Sequence, residues 1–156
     1  MVALGSGARA VTPTLIGRWQ TRLALLATLG LLISLIFVAL ARSDVFLRVL
    51  LYVAVFGLAW DVIYIALQRL RWDRDWPAAF QVLNGVTEGA FLFLAATTIG
   101  LPSLPRDLPP ALFAVHYGLV WLAIFLWTQG PMRAIFPFWR FHGGTIRPRV
   151  PGDRSR

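Results

Sequence analysis

FLRVLLYVAVFGLAWDVIYIALQ, residues 46–68, carries Arg48 near its start and after it a single charged side chain, Asp61, in an otherwise apolar and aromatic run. As a helix rising 1.5 Å per residue it reaches about 34 Å, enough to cross the roughly 30 Å of hydrocarbon in a bilayer. Three more runs of the same kind surround it, at 22–41, 79–100 and 111–128. The expected fold is therefore all-α, an integral membrane bundle of four transmembrane helices running up-down-up-down with short loops. Composition agrees, because 58% hydrophobic and 14% charged residues in a chain of 156 do not suit a soluble surface.

The four runs divide the chain into three parts: a flexible cytoplasmic arm over 1–21, the helical domain over 22–129, and a basic aromatic interfacial segment with a disordered tail over 130–156. The apolar core of the first run is longer than the h-region of a signal peptide, so a retained helix is expected there. Pro110 suits the first turn of the fourth helix, where its missing N–H costs nothing, and Gly130-Pro131 ends that helix.

All fifteen basic residues are arginine, a bias that fits a GC-rich bacterial genome. They flank the apolar runs, so they read as topology signals and contacts to anionic lipid headgroups, not as a nucleic-acid surface. Twelve lie beside the first arm, the second loop and the tail; Arg42, Arg48 and Arg106 lie on the other side. Under the positive-inside rule both ends are cytoplasmic, which places the chain as a multi-pass protein of a bacterial inner membrane. Arg69, Arg71, Trp72, Arg74 and Trp76 in the second loop, with Arg133, Trp139 and Arg140 in the tail, form the expected surface for lipid or a partner.

Ionisable groups at membrane depth are costly and mark candidate sites. Gly57, Asp61, Tyr64 and Gln68 recur at helical spacing in the second run, as do Gln81, Asn84, Gly85 and Glu88 in the third. The short loop between them makes the two helices antiparallel neighbours, and pairing residues whose numbers sum to a constant sets Gln68 against Gln81, Tyr64 against Gly85 and Asp61 against Glu88. The Gly85/Gly89 pair adds a G-x-x-x-G pattern through which the second and third helices could pack closely. Asp61, Tyr64, Asn84 and Glu88 are the leading candidates for holding a ligand or proton; Gln68, Gln81, His116 and Trp121 are secondary.

Two carboxylates at one depth are not expected both to be charged and unmatched: one is neutral, or a bound cation or an arginine from the cytoplasmic loop offsets it. Amide substitution of either should then leave stability unchanged or raise it. A metal on Asp61, Glu88 and His116 is disfavoured, because His116 falls on the order of 10 Å away in depth, near the outer end of its helix, where an interfacial or packed role suits it. With no cysteine, no phosphate-binding glycine loop and no hydrolase triad, thiol chemistry is excluded and no cofactor is implied.

The expected role is a non-enzymatic subunit or assembly partner of a membrane complex, joined to other subunits or to copies of itself. The alternatives are a proton- or cation-coupled small-molecule binding or transport protein acting as an oligomer, and an intramembrane enzyme acting on a lipid or isoprenoid. A cavity beside the carboxylates favours these; a filled interior favours the first.

The orientation is checked by labelling in intact cells. Single cysteines at Ser43 and Ser103 should react with an impermeant maleimide from outside and one at Ser155 should not; the reverse pattern would invert the topology.

Overall fold

The computed structural model describes residues 15–70 and 78–135, the side chains of 68–70, 78–80 and 133 excepted. Four helices in it are long and apolar enough to cross a membrane: α1 (Leu15–Ala41), α2 (Val45–Leu70), α3 (Ala78–Leu94, continued by π-type turns over Ala95–Gly100) and α4 (Pro110–Gln129). A short α5 (Pro131–Ile135) follows. Between 17% and 28% of each span is buried inside the bundle, so most of the apolar side-chain surface faces outward. Such an apolar exterior on helices of this length is that of a multi-pass membrane protein.

Each helix packs on its neighbours in sequence and α4 closes on α1, giving a four-cornered bundle. Arg42 alone, in left-handed conformation at φ 50°, turns the chain out of α1, with Ser43 and Asp44 leading into α2.

One boundary differs from the sequence expectation. The first helix begins at Leu15, so 15–21 are helix and not flexible arm. Arg18 and Arg22, expected at the membrane surface, therefore lie on a turn of α1 that packs on α2. A π-type stretch, Leu26–Gly30, interrupts α1 below them. The rest of the arm, the loop from 71 to 77 and the tail beyond Ile135 lie outside the described residues, and with them Arg71, Trp72, Arg74, Trp76, Trp139 and Arg140. Gln68, Arg69 and Arg133 lie on helices whose side chains there are not described.

The end of the bundle at which α3 joins α4 is sealed by the proline-rich connection between them. Leu104 and Leu108 turn inward and join Val49, Leu92, Ala96 and Phe113 in one buried cluster. Three side chains tie the loop down: Arg48 Nη1 donates to the Ser103 carbonyl (2.7 Å), the Tyr52 hydroxyl to the Pro102 carbonyl (2.9 Å), and Arg106 Nη2 to the Ile99 carbonyl (3.0 Å). Gly100 makes the bend out of α3 at φ 84°, a conformation that favours glycine.

Just inside this seal, His116 of α4 is buried against Phe37 of α1 and Phe46 of α2, with ring centroids 5.1 and 5.0 Å away. Its Nε2 and the Ser34 Oγ of α1 are 2.9 Å apart. The histidine thus packs in the core and joins α1 to α4. A second apolar cluster of Leu26, Leu50 and Val120 separates this layer from the opposite half of the bundle.

Because Leu108 is a loop residue acting as core, Leu108→Ala should destabilise like a core truncation, by about 2–5 kcal/mol. Equilibrium unfolding in mild detergent checks this; a cost below about 0.5 kcal/mol, typical of a surface loop, would remove the sealing role.

Candidate functional site: a charge cluster and its cavity

At the half of the bundle away from the seal, the centre is occupied by a guanidinium. Arg22 Nε donates to Asp61 Oδ2 at 2.9 Å and Nη2 to Asp61 Oδ1 at 3.1 Å. The same group reaches Glu88 through Nη1–Oε2 at 3.0 Å and Nη2–Oε1 at 3.3 Å. Four of the five N–H groups of one arginine are thereby used, two on each carboxylate, in the forked geometry for which a planar guanidinium is suited. Arg18, one turn earlier on α1, donates from Nε to Asp61 Oδ1 at 3.2 Å. Asp61 is 2% exposed, Glu88 11%, Arg22 21% and Arg18 18%. Among the described residues two cations face two anions, so their formal charges balance.

Of the alternatives expected for the carboxylate pair, offset by an arginine is the one this geometry has, and the expectation that amide substitution would be harmless is corrected with it. The level pairing of Asp61 with Glu88 holds, but through a shared arginine, which comes from α1 and not from the cytoplasmic loop. The signal was present as two arginines at i and i+4 near the start of an apolar run, equal in number to the carboxylates at depth. The positive-inside rule had assigned them to the surface.

Glycine supplies the room. A Cβ at Gly57 would overlap the Arg22 guanidinium, so its absence lets the arginine lie flat on α2. Gly85 and Gly89 receive not the α2 backbone, as the G-x-x-x-G pattern suggested, but the rings of Trp121 and Tyr117 from α4. The Tyr117 hydroxyl donates to the Gly85 carbonyl at 2.7 Å. The pattern is thus a socket for aromatic side chains.

The remaining candidates surround the cluster. Tyr64 is buried, donates to the Asn84 carbonyl at 3.4 Å and also interacts with Glu88. Gln81 accepts from Gln129 Nε2 of α4 at 2.7 Å; its expected neighbour Gln68 has a side chain that is not described. Phe91 meets both Phe56 and Trp60 edge-on, at 5.5 and 5.7 Å, which keeps α2 and α3 near the expected register. His116 stands apart in the aromatic layer; its Nδ1 has no hydrogen-bond partner among the described residues. Arg18, Arg22 and Tyr117 are site residues that sequence reasoning did not select, and Gly57 was placed on the stripe without a role.

Beside the cluster lies a cavity of about 230 Å³. Its lining combines the charged and polar groups of Arg18, Arg22, Asp61, Asn84 and Glu88 with apolar and aromatic side chains such as Leu25, Val120, Trp121 and Phe125. A lining that mixes polar with apolar and aromatic groups is the make-up of a site for a small amphipathic molecule. No protein-family model matches the chain, and no curated protein or solved structure is similar to it.

Breaking a buried ion pair from one side is expected to cost about 3–5 kcal/mol, because the other charge is left unmatched. Arg22→Gln and Asp61→Asn should each lower stability in detergent, and the double variant should be less damaged than the sum of the two by at least about 1 kcal/mol. Strict additivity, or an Asp61→Asn protein as stable as the native one, would separate Arg22 from Asp61.

Proposed function

We propose that the chain is a small-molecule-binding protein of the membrane, non-enzymatic and with its ligand held in the bundle beside the charge cluster. The observation that carries this reading is the cavity: four helices of this size could have filled the space with side chains, yet about 230 Å³ stays open next to four charged groups. Leaving it open forfeits packing contacts on every wall, a loss that a bound ligand restores. The proposed setting is a bacterial inner membrane with both ends cytoplasmic and the arginine-rich flanks on anionic headgroups.

Coupling to a cation or proton through Asp61 and Glu88 is less well supported, since both carboxylates already have arginine partners. Acid–base work by either would require those contacts to break first. A second reading, assembly within a larger membrane complex or with copies of the chain, is favoured by the same pairing: a self-compensated cluster fixes how three helices meet without any ligand.

Extraction of the purified protein followed by mass spectrometry separates the two. A small amphiphile should be enriched over the bulk lipid extract in the native protein and lost in Ile124→Trp, which fills the apolar part of the lining. Equal extracts from two equally monodisperse proteins would leave the assembly reading.

A further inference from the structure

We propose that the cavity selects an uncharged ligand bearing carbonyl-type acceptor oxygens on a flat ring, of the quinone class, over acids and amines of the same shape. The inference rests on the binding role above and takes its chemistry from two features of the cavity wall.

The first is charge balance. Arg18 and Arg22 against Asp61 and Glu88 sum to zero. A carboxylate or ammonium entering beside them would add one uncompensated charge in a region of low dielectric, and desolvating it there costs more than a hydrogen bond returns. A neutral guest leaves the balance intact.

The second is a surplus of donors. Arg22 is nearly saturated, but Arg18 uses only Nε, and its Nη1 and Nη2 have no hydrogen-bond partner among the described residues. The same holds for the side-chain amide of Asn84, also in the cavity lining; Trp121 Nε1 is instead seated against Gly85. These donors are accessible at the cavity, and the groups offered call for oxygens that accept. The aromatic part of the lining sets the body of the ligand. Trp121 and Phe125, stacked on each other at 5.0 Å and 13°, both line the cavity. An apolar cavity of about 150 Å³ holds benzene, so about 230 Å³ has room for a fused bicycle.

Three probes of matched shape make the test: 1,4-naphthoquinone, 2-naphthoate and 2-naphthylmethylammonium, titrated calorimetrically into the native protein in nanodiscs, with empty nanodiscs as the blank. The chain has no cysteine for the quinone to alkylate. The quinone is expected to bind saturably and at least tenfold more tightly than either ion, and to lose about three- to tenfold in Asn84→Leu, which keeps the bulk and removes the amide donor. In Glu88→Gln the cluster gains one positive charge, and the naphthoate should overtake the quinone; in Arg18→Gln the ammonium should. Equal affinities, or an ion bound best by the native protein, would overturn the selectivity and leave a binding cavity in place. No saturable binding of any probe would overturn the binding role itself, and the selectivity with it. The native comparison stands whether or not the charge variants fold.

Discussion

A single guanidinium holding two carboxylates from two other helices is the constraint on which the bundle depends. Arg22 belongs to α1, Asp61 to α2 and Glu88 to α3, so the contact to Glu88 crosses the bundle and fixes three helices at one depth. Apolar packing in lipid supplies little preference for one vertical register over another, because hydrocarbon tails are as apolar as leucine. A charged group has such a preference, since sliding any of the three helices by a turn would leave an ion unmatched. The cluster therefore acts more on specificity than on stability.

The two ends of the molecule solve the same packing problem differently. Toward the seal, Phe37, Phe46 and His116 fill the centre, and the loop leucines close it with a dry core. Toward the charged end the centre holds arginine, whose stem and head fit less tightly than a ring, and glycines on α2 and α3 make way for it and for Trp121 and Tyr117. The cavity follows from that exchange of bulk for charge. It lies where the helices are fixed by directional contacts, which hold walls apart in a way that apolar packing does not.

The four spans were legible because length and apolarity alone identify them, and the stripes on α2 and α3 were legible because a few polar residues stand out in an apolar background. The role of Arg22 was hidden by a rule that is sound on average: arginines beside an apolar run mark its ends. Nothing in the run itself shows that the helix starts at Leu15, a turn before Arg18. The G-x-x-x-G pattern misled for another reason. Two glycines a turn apart open a groove, but the sequence does not say whether a backbone or a ring will occupy it, and here two aromatic residues of α4 have the matching four-residue spacing, Tyr117 to Trp121.

The buried positions of α1 have a rhythm of their own. Gly17, Thr21 and Leu25 recur every four residues, and so do Leu26, Gly30 and Ser34, but the second series starts one residue late. The π-type stretch over Leu26–Gly30 absorbs that offset. In an unbroken α-helix Arg22 and Ser34 would point about 120° apart; holding back one residue's rotation, about 100°, turns both toward the interior, one to the carboxylates and the other to His116. The helix thus contains one residue of slack between its two functional faces. Losing a residue within 26–30 would convert the wide turn to ordinary α-helix and leave both faces aimed inward, whereas losing one anywhere else between Arg22 and Ser34 would have to be taken up by the same turn. Between these two faces of α1, length variation has one place to go.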